Sequence, residues 1–267
     1  MKPAMELDDA YSNGAYIDGA EHYPPRWTKA AAGFREGMLE AGLAELEVPY
    51  GDSARQCFDL FKPEDAPKGL LVFVHGGYWL AFDKSTWSHL AQGAVAAGWA
   101  VAMPSYDLCP QVSISEITHQ IARMIPVAAA MIGGPIHLAG HSAGGHLVAR
   151  MAVPGLLPDQ VAARVKRVMP ISPVADLRPL LKTSMNDKFK MDAVDARAES
   201  PVLQGLLEGV DVTVWVGGEE RPAFLEQATA LAEAWSCDCV IDAGRHHFDV
   251  IDGLMERDGR MLARLLG

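Results

Sequence analysis

Apolar positions fall into two alternating patterns along the chain. Leu70-Leu71-Val72-Phe73-Val74 is an unbroken apolar run, the mark of a strand buried on both faces. Comparable short runs stand at 99–103, 135–139, 165–171, 212–216 and 238–241, and 45–50 with 56–61 read as an antiparallel start. Between them apolar residues recur at helical spacing over 85–97, 113–132, 143–153, 222–235 and 250–266, with an earlier helical stretch over 27–39. Pro126 is placed to bend the second of these, and Gly133-Gly134 ends it. Strands alternating with helices predict an α/β fold, a mostly parallel central sheet with helices on both faces. The expected organisation is one domain over 1–267. Residues 1–45 form an extension packed on it, and the irregular stretch 174–211 is too short for a cap domain but long enough to wall a pocket.

Composition narrows the partners. A chain of 267 residues with 49% hydrophobic content suits one large core. Its net charge is −11, and its densest basic stretch is only Arg164-Val165-Lys166-Arg167, which argues against nucleic acid and against anionic membrane surfaces. No apolar run approaches the roughly 18 residues of a membrane span. The opening nine residues lack the apolar stretch of a signal peptide. Cys57, Cys109, Cys237 and Cys239 lack zinc-site spacing, and the last two alternate along one strand, sharing a face without bonding. They are expected to be reduced core residues of a cytoplasmic protein. A homodimer is compatible with this picture, though nothing in the sequence specifies one.

Candidate chemistry centres on Gly140-His141-Ser142-Ala143-Gly144, which joins the 135–139 strand to the helix after it. Gly-x-Ser-x-Gly in that setting forces the serine onto a sharp turn at a helix N-terminus, where its hydroxyl is presented for attack. Serine needs a base to take its proton, and Gly244-Arg245-His246-His247-Phe248 follows the last strand where one is expected. His247 is favoured over His246 because Phe248 can anchor the loop. The other histidines lie on early or helical segments, inside the 135–139 strand, or beside the serine. The acid that orients the base belongs after the preceding strand, where Glu219 and Glu220 both qualify, while Asp176 reads better as a cap on a turn. His75-Gly76-Gly77-Tyr78 follows strand 70–74. The N–H groups of Gly76, Gly77 or Tyr78, together with that of Ala143, can meet a developing oxyanion. Tyr78 and Tyr106 are placed to line an aromatic or acyl pocket, with Trp79 at the same strand ends and Phe189, Asp187 and Met191 facing it from the insertion. Trp79 and Trp87 are expected to serve mainly in packing.

These residues resemble a family. His75-Gly76-Gly77-Tyr78-Trp79 matches the HGGxW signature of kynurenine formamidases (arylformamidases) and their esterase relatives among the α/β-hydrolases. Tyr106-Asp107-Leu108-Cys109-Pro110-Gln111-Val112 resembles their segment after the fourth strand. Glu220-Arg221-Pro222-Ala223-Phe224 resembles their acid loop, His247-Phe248 their histidine loop, and Leu7 to Asn13 with Trp27 their N-terminal segment. The resemblance selects Glu220 over Glu219, a glutamate where aspartate is commoner. It implies hydrolysis of a small-molecule amide or ester, N-formylkynurenine or a related aryl formamide, without metal or organic cofactor. A short-chain carboxylesterase would share the same machinery, and a non-catalytic binding protein would be expected to have lost one of Ser142, Glu220 and His247.

Overall fold

The computed structural model describes residues 7–267. Among these, eight strands form a sheet: β1 (Ala44–Pro49), β2 (Cys57–Phe61), β3 (Leu70–Val74), β4 (Ala100–Pro104), β5 (Ile136–His141), β6 (Val165–Ile171), β7 (Asp211–Gly217) and β8 (Asp238–Asp242). Their order is β1-β2-β4-β3-β5-β6-β7-β8. β2 runs antiparallel to β1 and β4, and β3 to β8 are mutually parallel. The α-helices are α1 (Tyr23–Glu40), α2 (Gln92–Ala96), α3 (Ile114–Met131), α4 (Ala143–Met151), α5 (Asp159–Ala162), α6 (Asn186–Phe189), α7 (Ala193–Ala198), α8 (Pro222–Trp235) and α9 (Arg260–Leu266).

The continuous apolar strands feed two cores at once, because successive side chains leave opposite faces. On β3, Leu70, Val72 and Val74 join Ile117 and Ile121 of α3, Leu147 of α4 and Leu231 of α8. Leu71 and Phe73 join Trp27 of α1, Ala94 of α2 and Leu262 of α9 on the other side. The chain order reverses at β3, which lies between β4 and β5. That is the switch point at which open α/β sheets bind ligands, beyond the carboxyl ends of the strands.

Two predicted helices are broken. Over 85–97 the chain makes 3-10 turns at Lys84–Thr86 and Ser88–Ala91 before α2. Asp83 starts the first by accepting from the Ser85 N–H at 2.8 Å, and Trp87, with φ −119°, leaves the helical range between them. Over 250–266 a 3-10 segment, Val250–Met255, gives way at Glu256, which is extended (ψ 101°), and α9 restarts after Gly259. Apolar spacing is helical throughout, but the polar run Glu256-Arg257-Asp258-Gly259 supplies no face to hold the middle turn.

Residues 7–22 cross the carboxyl end of the sheet and are tied to three loops. Leu7 N–H donates to Lys182 O at 3.3 Å, and Ser184 N–H to the Asp8 carboxylate at 2.6 Å. Tyr78 Oη donates to Tyr11 O at 2.6 Å, and Arg221 pairs with the Asp9 carboxylate at 2.7 Å. No helix among the described residues is long and apolar enough to cross a membrane.

Candidate active site

Ser142 occupies the bend between β5 and α4 with φ 56° and ψ −116°, a backbone region that costs about 1–3 kcal/mol for a residue with a side chain. Neighbouring backbone holds it there: its N–H donates to Ile171 O at 2.8 Å, and its carbonyl accepts from His146 N–H at 3.0 Å. The flanking glycines are required by crowding. A Cβ on Gly140 would lie 2.2 Å from Gly144 O, and one on Gly144 would lie 2.0 Å from Val74 O. Ala143 opens α4, so its N–H has no partner in the helix and faces the turn.

The β7 and β8 loops bring Glu220 and His247 together. His247 Nδ1 stands 2.6 Å from Glu220 Oε2, with both side chains buried. The second carboxylate oxygen accepts from Gly217 N–H at 2.9 Å and from the Ser172 hydroxyl. These donors satisfy the second oxygen of the buried carboxylate, and with Nδ1 engaged on the first, Nε2 is the His247 nitrogen left for other partners. Glu219 is exposed and only its N–H is used, donating to Arg245 O at 2.8 Å. His246 is held elsewhere, with Nε2 3.0 Å from the Tyr23 hydroxyl. Asp176 caps its own turn by accepting from Arg178 N–H at 3.0 Å.

A cavity of about 470 Å³ lies over this arrangement, with Ser142, His247, Gly77 and Tyr78 in its wall. That volume is within the range of small-molecule sites. The N–H groups of Gly77, Tyr78 and Ala143 make no hydrogen bond among the described residues. His141 lines the cavity next to the serine, its ring 4.5 Å from that of His247. Burial, reinforced by the neighbouring His247, pushes its pKa well below the usual histidine value, so it is a neutral wall.

Of the residues expected at the pocket, Trp79, Tyr106, Phe189, Asp187 and Met191 are not in its wall, and Trp79 takes the packing role also expected of it. Trp79 is fully buried beneath the loop, edge-on to His146 at 5.1 Å and to Phe189 at 5.6 Å. Phe189 is therefore part of that core, and Met191 borders a separate groove with it. Tyr106 stacks on His75 at 4.4 Å and donates to His75 O at 2.9 Å, propping the loop from behind. Trp79 and Tyr106, large rings beyond strand ends, are drawn under the loop, and Phe189 at the end of α6 packs against the first of them. The insertion instead contributes Ser184 and Met185. The opposite wall is aromatic: Trp27, Phe82, Trp87 and Phe248, so Trp87 does more than pack. Tyr11, Ser12 and Asn13 close the cavity from the N-terminal segment. The sequence signals that contribution only through the resemblance of Leu7 to Asn13 and Trp27.

The fold is that of an α/β hydrolase. A family model for the alpha/beta hydrolase fold matches residues 71–235, and the chain belongs to that family. The kynurenine formamidase of Drosophila melanogaster is 32% identical over 241 residues, 82% of this chain and 79% of that protein. That of Salmo salar is 28% identical, covering 87% of this chain and 85% of its own. Among solved structures, a candidate thioesterase from Silicibacter sp. is 60% identical with a TM-score of 0.97, covering 98% of this chain and all of its own. Thermogutta terrifontis esterase 2, at 20% identity and TM-score 0.64 over 84% of this chain and 92% of its own, shares the fold.

Proposed function

We propose that the chain is a serine hydrolase that cleaves a small acyl amide or ester through Ser142, His247 and Glu220, acting as an arylformamidase on N-formylkynurenine or a related aryl formamide. The observation that carries the reading is the buried His247–Glu220 pair, with His247 in the wall of the same cavity as a serine on a strained turn. Ser142 Oγ attacks the acyl carbon while His247 Nε2 takes its proton, and Glu220 stabilises the imidazolium. The N–H groups of Gly77, Tyr78 and Ala143, with Gly76 shaping the loop, receive the oxyanion. His247 then protonates the leaving amine or alcohol, and a water activated by the same nitrogen releases the acid from Ser142. The curated relatives support the formamide reading.

A second reading, hydrolysis of short acyl esters or thioesters, is favoured by the 60%-identical structure. Turnover of N-formylkynurenine, aryl acetates and an acyl thioester, measured side by side on wild type and Ser142→Ala, separates the two. Ser142→Ala is expected to lower kcat by roughly 10⁴-fold or more on every accepted substrate, and a fluorophosphonate is expected to label Ser142. Full activity in the variant, or no labelling, would overturn the serine mechanism. Turnover of acetates or thioesters alone would replace the formamide.

A further inference from the structure

Between the strands that lead to Ser142 and Glu220 lies β6, which carries neither residue. Its carboxyl end nevertheless touches both. Ile171 O accepts the Ser142 N–H at 2.8 Å, and the next residue, Ser172, donates its hydroxyl to Glu220 Oε1. Ser172 is fully buried and holds φ 47°, a left-handed backbone that strains a residue with a side chain but not glycine. Its backbone is fixed without help from the side chain, by Ser172 N–H donating to Trp215 O at 2.7 Å. A hydroxyl buried at a strained position costs stability unless its hydrogen bond offsets that, and here the acceptor is the Glu220 carboxylate. A glutamate makes that contact matter. It has one more rotatable bond than aspartate, so its carboxylate has more ways to turn from His247. Ser172 and Gly217 N–H both engage Oε1, which leaves Oε2 on His247 Nδ1. Gly217 lies three residues from Glu220 in the same loop, whereas Ser172 stands at the end of another strand.

We propose that Ser172 is a positioning residue whose hydroxyl locks the Glu220 carboxylate in the orientation that presents Oε2 to His247, tying the acid to the strand end that also holds the Ser142 backbone. This role rests on the serine-hydrolase reading and deepens it. Ser172 touches no reacting atom and acts only through Glu220.

The test follows the rate at which a fluorophosphonate labels Ser142, a readout of serine activation that needs no substrate. It compares wild type, Ser172→Ala, Ser172→Gly, Glu220→Gln and the double variant Ser172→Ala/Glu220→Gln. Both Ser172 variants are expected to lower the maximal labelling rate about tenfold, as for loss of one hydrogen bond to a carboxylate, at an unchanged half-saturating concentration. Their melting temperatures should differ, with Ser172→Gly the higher, because glycine relieves the left-handed backbone. An equal rate loss in both is therefore not a loss of fold. In the Glu220→Gln background, Ser172→Ala should slow labelling by less than about twofold, since partners that act as a unit are not additive. Unchanged labelling in both Ser172 variants, a loss that follows melting temperature, or a tenfold loss that persists beside Glu220→Gln would overturn the proposal. Glu220→Gln labelling as fast as wild type would remove the acid and Ser172's role together. Slow labelling in Glu220→Gln with Ser172 variants matching wild type would leave the mechanism standing and remove only this assignment.

Discussion

The two walls of the cavity are built in opposite ways. The floor, which carries Ser142, Glu220 and His247, consists of short loops at the ends of β5, β7 and β8, each fixed by backbone bonds to a neighbouring strand or loop. The roof, residues 7–22 with the start of α1, adds no strand to the sheet and is held by scattered contacts: Arg221 to Asp9, Tyr78 to Tyr11, and Gln227 to the Tyr11 hydroxyl at 2.9 Å. Chemistry that must be placed to a fraction of an ångström belongs on the first kind of support. Recognition that follows a changing substrate is more easily carried by the second.

That contrast is broken most sharply at Glu220. Glu220→Gln keeps the shape but leaves His247 without a carboxylate to orient its ring. It is expected to lower kcat roughly a thousandfold with little change in KM, measured by steady-state kinetics on whichever substrate wild type accepts. A fall in KM-dependent binding with kcat intact would move Glu220 from floor to roof.

The floor was largely legible in the sequence, and the roof was not. Gly-x-Ser-x-Gly between an apolar strand and a helix has few physical alternatives, since Gly140 and Gly144 face backbone oxygens that admit no side chain. The choice of Glu220 over Glu219 needed the resemblance, because two adjacent carboxylates differ only in which way the loop turns. The pocket placement of Tyr106, and of Trp79 beside its expected packing role, failed for a related reason. Periodicity tells which element a ring is on, but at a strand end it does not tell whether the ring folds under the loop or over it. Asn13, Ser184 and Met185 reach the cavity through long-range packing of irregular segments, which leaves no local pattern.

Acid should strike the floor before the roof. Burial lowers the pKa of His75, which opens the loop after β3, and of His146, on α4, from 6.5 to about 4. The unfolded chain therefore binds more protons between those values. The stability these two neutral rings represent is complete above about pH 6.5 and is lost as pH falls towards 4, by about 2 kcal/mol each at pH 5. Denaturant titrations at pH 7.5 and 5 should show that loss. His146→Gln, if it folds, should flatten part of the slope, and an unchanged midpoint across the range would contradict the assignment of these rings as neutral.

The smallest effect is expected at the roof's outer tie. Asp9 is exposed and pairs with Arg221, and exposed pairs contribute at most about 1 kcal/mol. Asp9→Ala should raise KM two- to fivefold, roughly that energy, while kcat and the melting temperature stay nearly unchanged. A kcat loss as large as that of Glu220→Gln would show that the two walls are not separable.

Under the proposed mechanism, Ser142 sets folding and activity against each other at one position. Its left-handed backbone is a conformation that glycine adopts without strain. Drift to glycine there would relax the chain and delete the hydroxyl in the same step. Under selection for heat tolerance alone, descendants of this protein would tend to become sturdier while falling silent as enzymes, keeping a well-formed cavity that reacts with nothing.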